Sequence, residues 1–521
     1  MKNKLIRVHF PIICVILVFS LFFPSAVKAI LISIKISGSL TPGGEVESYQ
    51  LSPDGEYAVF MADAVNYAIM DLFSVPAAGG ERTRLSSGTA GDNMVQGFII
   101  SPNSQYVVYW VGEPEEFGHT QRIYAVPIGG GTPLVLVDEI TEDFYVQDIS
   151  ITSDNLYVVY ELMREALSSS CGELWRVPLS GGTPISYHTC VNETYVQFKL
   201  SPDGSYIIYK INSNAANDKL YKANLTGAST LLLEVIIEIR EFSITPDGTY
   251  VIYRTRGSTD DLYSIPTTGG SPIKLNKPLV SDQDVLDFQV SPSPTADYVV
   301  YRADEEVDEL FELFSVPYNG AGDPIRLFGP TTDPTTDAQD YQITPNGLAV
   351  VYIADRSEDE RFDLGAVAIT GGTHFWLSKE MVDGGDVDHF NIGSDNQRVV
   401  FLADKLVNNR LELFVVSILG DNLTKLNEET EVKGFRIAPN NQYVIYEARP
   451  PAGIVFNLYF RAAGPSQKIT NLSSSSNIIL DYRITSDSLG LVYHANQDSE
   501  TIDELFSIYD RFPIYLPLIL K

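Results

Sequence analysis

Phe242-Ser243-Ile244-Thr245-Pro246-Asp247-Gly248-Thr249-Tyr250-Val251-Ile252-Tyr253 decides the architecture. A short alternating run ends in a Thr-Pro-Asp-Gly turn, and an apolar run of β-branched and aromatic residues follows, which reads as a buried strand. Leu262-Tyr263-Ser264-Ile265 is a third strand, and Thr268-Gly269-Gly270-Ser271 is a hairpin turn in which glycine supplies the positive φ. Ile273-Lys274-Leu275 is a fourth. Four strands joined by tight turns make one antiparallel meander.

The phrase occurs ten times, near Tyr49, Phe98, Ile149, Phe198, Phe242, Phe288, Tyr341, Phe390, Phe435 and Tyr482. A period of roughly 45 to 50 residues marks a repeat architecture. An isolated meander cannot cover its two apolar faces, whereas sheets stacked radially cover one another. The predicted fold is therefore all-β: a β-propeller of about ten four-stranded antiparallel blades in a single ring, with two five-bladed propellers as the alternative. Unit ten runs through Leu505 to Ile508 without the usual Gly-Gly turn, and Ile34-Lys35-Ile36 resembles Ile273-Lys274-Leu275. A strand at 31–37 is expected to close the last blade, which would leave no open sheet edge. The apolar tail at 509–521 is the rival donor.

Leu51-Ser52-Pro53-Asp54-Gly55 with Tyr57-Ala58-Val59-Phe60, repeated at Leu200 to Gly204 and Ile244 to Gly248, resembles the TolB-type WD-like propeller repeat. The similarity covers nearly all of residues 30–521. Proteins with this repeat include periplasmic translocation proteins, the propeller halves of prolyl oligopeptidase-type peptidases and some polysaccharide lyases. The chain shows neither the small α/β domain that precedes the propeller in TolB nor a hydrolase domain. A role in the Tol–Pal envelope system is therefore not carried over.

Residues 1–29 read as a signal peptide. Lys2, Lys4 and Arg7 form a basic start, an apolar run extends from Val8 to Phe23, and Val27-Lys28-Ala29 suits a signal peptidase. An uncleaved anchor is the alternative, and the only membrane association expected. Secretion or a periplasmic, envelope-exterior location follows. Losing Lys2, Lys4, Arg7 and Lys28 takes the net charge from −31 to −35. Such acidity repels nucleic acid and anionic membrane. Folding the hairpin about Gly181-Gly182 brings Cys171 opposite Cys190, and an oxidising compartment would let them form a disulfide.

No Gly-x-Ser-x-Gly elbow or zinc-ligand spacing is present, so no catalytic residue is assigned. His119, His188, His374, His389 and His494 are scattered over different units, although His374 and His389 lie close in sequence. Asp148, Glu241, Asp287, Asp340 and Asp481 sit in or just before first strands. First strands line a propeller channel, so these five are expected to recur near one mouth as candidates for a ligand or cation. Asp304, Glu306 and Asp308 in one loop, with Asp355 and Asp359 in another, are weaker calcium candidates. Calcium is the one cofactor admitted. Asn-x-Ser/Thr at Asn192, Asn224, Asn422 and Asn471 would matter only in an exporting eukaryote.

The expected function is an exported, non-enzymatic propeller that acts as a binding scaffold for an unidentified protein or small ligand. A polysaccharide lyase or hydrolase with its site at the channel mouth, and a calcium-stabilised surface protein, are the alternatives.

Overall fold

The computed structural model describes residues 31–509 apart from 67–68, 87–93, 113–120, 141–143, 165–169, 191–193, 214–216, 330–336, 356–360 and the single positions 236, 308, 452, 463, 471, 473 and 500. Residues 1–30, where the signal peptide is expected, and 510–521 of the tail lie outside this set. Among the described residues there is no helix long and apolar enough to cross a membrane.

The Thr-Pro-Asp-Gly turn of blade five shows why the phrase recurs. Thr245 Oγ1 donates to Asp247 Oδ1 at 2.5 Å and accepts the Tyr250 N–H at 3.0 Å, while the Gly248 N–H closes the turn on the Thr245 carbonyl at 2.8 Å. The fourth turn residue has φ near +60 to +80°, as in Gly248 at 71°. Blade six, with Ser291-Pro292-Ser293-Pro294, turns differently, while in blades two, three, eight, nine and ten that residue is Ser104, Asn155, Asn396, Asn441 and Ser488. Each of these side chains accepts an N–H from the preceding blade's turn, as when Asn155 Oδ1 takes the Asn103 N–H at 3.0 Å. The hydrogen bond offsets the cost of a left-handed conformation. At Gly55 a Cβ would come within 2.9 Å of Ser486 Oγ in the last blade. The turns of the first and last units therefore touch.

Ten antiparallel four-stranded sheets result, nine of them built from strands consecutive in the chain. The tenth combines Ile479–Ile484, Gly490–Ala495 and Glu504–Tyr509 with Ile34–Lys35 from the other end of the chain. Lys35 Nζ reaches Glu504 Oε1 at 2.7 Å. This repeats the third-to-fourth-strand pairs Lys274–Asp261 at 2.7 Å and Lys425–Glu412 at 2.6 Å. Blades five and six are joined as other neighbours are, with the Val285 N–H donating to the Asp260 carbonyl at 2.8 Å. One ten-bladed ring is formed, not two five-bladed ones.

The core lies between blades. One cluster joins Tyr49, Phe60 and Val75 of blade one to Val492 and Leu505 of blade ten, with Ile36 among them. Another joins Ile252 and Leu262 to Val285 and Tyr301. Second strands are buried on both faces, which is why they read as continuous apolar runs.

Cys171 and Cys190 are disulfide-bonded with Cα atoms 5.4 Å apart, closing a loop of 19 residues across blade three. By loop entropy, replacing both with serine should cost about 3 kcal/mol. The measurement is the urea midpoint with and without reductant. An unchanged midpoint would mean that the surrounding sheet already supplies the constraint.

Candidate functional site

The first strand of every sheet has one unpaired edge, and these ten edges face the axis. A cavity of about 550 Å³ is lined by first-strand residues from four successive blades, among them Lys199, Glu241, Gln289 and Gln342. A second, of about 370 Å³, is lined by Asn391, Arg436 and Arg483 from blades eight to ten. Side chains also cross between first strands. The amides of Gln50, Gln289 and Gln342 donate to the next blade's Phe98, Tyr341 and Phe390 carbonyls at 3.3, 2.8 and 3.0 Å.

Nine of the ten first strands carry a β-bulge at the same place; blade four, Thr194–Leu200, pairs without one. A bulge adds one unpaired residue and turns its side chain out of the ladder. Gln147, Arg240 and Gln339 are such extra residues, all exposed, with Arg240 turned onto Asp260 at 2.7 Å. Asp148, Glu241, Asp287, Asp340 and Asp481 all occupy the next position, immediately after the bulge. The five sequence candidates thus share one level of the channel wall.

Their partners differ. Glu241 accepts from Arg254 Nε, directly opposite on the second strand, at 2.9 Å, and Asp287 is held likewise by Arg302 at 3.0 Å. Asp481 accepts from Arg436 of the preceding blade at 3.0 Å and from Arg483 at 2.9 Å. Asp148 and Asp340 each accept the N–H of the following residue at 2.8 Å.

Asp148 has a partner that sequence reasoning missed. Directly opposite it stands Glu161, only 4 % exposed. Burial, and secondarily the Asp148 charge, push the Glu161 carboxyl up to about 8. The recurring position just after Tyr-x-x-Tyr could have revealed it, since that position is Arg254 and Arg302 opposite the other acids.

Two residues past the bulge level the charge reverses. The wall there carries Lys199, Arg436 and Arg483, and the same position in the other seven blades is Gln, Asn, Ser or Ile. In a chain of net charge −31, a level with three cations and no carboxylate is a local departure.

The histidines go to separate partners. His374 Nδ1 meets the Tyr352 hydroxyl at 2.7 Å, while His389 Nδ1 meets Asp388 at 2.6 Å and stacks on Phe435. His188 bonds Thr194 at 3.0 Å. Burial lowers the pKa of His188, His374 and His494. His119 lies outside the described residues.

The acidic loops do mechanical work. Asp304 Oδ1 accepts the Asp284 N–H at 2.5 Å, and Asp355 accepts the Asp337 N–H. Asp63 and Asp404 make the same clasp to Glu45 and Asp386, at 2.6 and 2.5 Å. In each, the aspartate ending the second strand ties down the backbone that enters the first strand of its own blade. Glu306 pairs with Arg326 at 2.6 Å. Asp308 and Asp359 lie outside the described residues. Among those described, no group of three or more His, Cys, Asp or Glu side chains is placed to hold a metal ion.

No protein-family model matches the chain, and no curated protein matches it. Solved structures do share its fold. A study of two prolyl endopeptidases supplies one, at 12 % identity over 70 % of this chain and 55 % of that one, TM-score 0.39. Dipeptidyl peptidase 4 of Porphyromonas gingivalis matches at 11 % identity over 87 % and 65 %, TM-score 0.47. TolB of Acinetobacter baumannii matches at 14 % identity over 63 % and 81 %, TM-score 0.28. The chain spans less than two thirds of either peptidase structure. The TolB-type repeat reading fits a ring with TolB among its structural neighbours. The expectation of a non-enzymatic binding scaffold, with its polysaccharide-enzyme and calcium-stabilised alternatives, is corrected: peptidases are among the structures that resemble the chain. At such identities the likeness concerns the fold alone.

Proposed function

We propose that the ring serves peptide cleavage by admitting and aligning an extended polypeptide in its channel, with the hydrolytic group on another domain or chain. The observation that carries this reading is the channel wall: ten strand edges with no further strand paired to them, bearing an acidic level followed by a cationic one. Free N–H and C=O groups along a strand edge bond an extended backbone, and ordered charge levels select side chains by sign. Two residues of strand separate the levels, roughly 7 Å, which is two residues of an extended peptide as well. The peptidases named above lend only a setting for such a ring. The reading includes export to an oxidising compartment, supported by the leader-like first 29 residues and the Cys171–Cys190 bridge.

A fluorescein-labelled fifteen-residue peptide with an acidic residue at its centre is the test probe, read by anisotropy. Replacing Arg436 and Arg483 together by glutamine should weaken its binding by about tenfold, equivalent to two exposed charge contacts. The same peptide with glutamine at its centre should bind both proteins alike. Equal binding of the acidic peptide to both proteins would overturn the proposal.

A further inference from the structure

Blade four departs from the other nine. Its neighbours carry the exposed bulge residues Gln147 and Arg240, and blade four, having no bulge, has no residue at that place. A cavity of about 560 Å³ opens in the gap, lined by both of those residues and by Asp148, Glu161, Met163, Tyr195 and Phe242 among others.

Its charges are incomplete. At other places along this level an acid meets a cation opposite or beside it: Glu241 meets Arg254, Asp287 meets Arg302, and Glu447 meets Lys433 at 3.2 Å; Asp340, opposite Ile353, accepts a backbone N–H instead. Asp148 and Glu161 instead set two carboxyl groups directly opposite each other, an arrangement that destabilises a sheet. Among the described residues, neither oxygen of Glu161 has a hydrogen-bond or ion-pair partner, although the residue is more than nine-tenths buried. Two nearby cations are committed: Arg240 is paired with Asp260 at 2.7 Å and Arg254 with Glu241. Lys199 lines the same cavity, at its cationic end. The groups facing Glu161 are Asp148 from the first strand, Leu174 from the third, Tyr195 and Lys199 from blade four, and Arg240 with Glu241 from blade five. Met163, Phe242 and the exposed face of Tyr195 add apolar wall.

We infer that this cavity between blades three and five binds a primary alkylammonium group, its nitrogen on Asp148 and Glu161 and its aliphatic stem along Met163, Tyr195 and Phe242. A cation arriving between the two carboxyls replaces the proton that Glu161 otherwise holds. The Glu161 O–H bond breaks, the proton leaves to buffer, and an ammonium–carboxylate pair forms. Binding therefore tightens as pH rises toward 8. Two sources present this chemistry, a lysine side chain of a polypeptide and a free diamine. Only the first depends on the peptide-channel reading.

The test is calorimetry of the full chain with three probes: 1,5-diaminopentane, a capped heptapeptide with one central lysine, and the same peptide with acetyl-lysine. Titrations near pH 7 in phosphate and in Tris give the protons released. The expected result is binding of the diamine and the lysine peptide with proton release. Glu161→Gln and Asp148→Asn should each weaken it by at least about tenfold without lowering the unfolding midpoint. Diamine binding without lysine-peptide binding would keep the cavity and remove the polypeptide channel. Equal binding of the lysine and acetyl-lysine peptides, with no diamine binding, would overturn the alkylammonium site and leave the channel standing. Affinity unchanged by Glu161→Gln would also overturn it.

Discussion

Removing residues 31–37 should abolish the cooperative unfolding of the ring. The segment pairs with Glu504–Tyr509 through only two residues in register, Ile34 with Ser507 and Lys35 with Phe506. Its weight comes from three further links. The Ile36 N–H donates to the Leu505 carbonyl at 2.9 Å; Ile36 itself, 2 % exposed, joins the cluster between the last and first blades; and Lys35 neutralises Glu504. Without them Glu504–Tyr509 becomes an open edge beside an uncovered apolar seam, a template for association between chains. The point variants grade the effect. Ile36→Asp puts a charge without a partner into that seam and should cost about 4 kcal/mol. Lys35→Met leaves Glu504 without its nearest cation and should cost about 1–2 kcal/mol, because Lys35 is a third exposed and solvent screens the pair. Urea unfolding followed by tryptophan fluorescence, with light scattering for association, reads all three. A deletion variant that unfolds with the parent midpoint and slope would show that the ring is held without this strand. A collapse on removing 510–521 instead would assign closure to the tail.

The repeat was legible because every unit solves the same packing problem with the same residue types. Tyr-x-x-Tyr marks a strand buried on both faces, and Ser/Thr-Pro-Asp-Gly marks a turn whose side chains satisfy its own backbone. Variation within the phrase was informative as well: Asn155 and Asn441 replace glycine where a bond to the preceding turn is available. The channel was less legible. Asp148, Glu241, Asp287, Asp340 and Asp481 share a level because each follows a bulge, and the bulge is a property of pairing that alternation along one strand does not display. Their difference in chemistry arises from the opposite strand, about 13 residues on, as Glu241 to Arg254 illustrates. Asp304 and Asp355 looked like cation ligands because composition alone suggests oxygen donors. Their recurrence as Ala-Asp at 62–63, 303–304, 354–355 and 403–404 was the signal for a backbone clasp.

Glu161→Gln should make the protein more stable at alkaline pH and leave it nearly unchanged in acid. In the folded ring the Glu161 carboxyl titrates at about 8, whereas an unhindered glutamate titrates at 4.5. Between those values the unfolded chain has released the proton and the ring still holds it. The stabilisation that the protonated group contributes is complete below about 4.5 and is lost progressively as pH rises through about 8. Each pH unit in that window removes about 1.4 kcal/mol, so the full loss is on the order of 2–4 kcal/mol once relaxation around the site is allowed for. Glutamine matches the protonated acid in shape and cannot ionise, so the variant should escape this slope. Glu312 adds a slope of the same sign, its carboxyl pushed up to about 7 by burial and by Glu306. Because it titrates in both proteins, it cancels in the difference. The measurement is the urea midpoint of each protein from pH 4 to 9, and the expected pattern is two curves that coincide near pH 4, diverge from about pH 5 and run parallel above about pH 8. Curves parallel over the whole range would mean that Glu161 is ionised in the ring at neutral pH and that a cation or water already satisfies it.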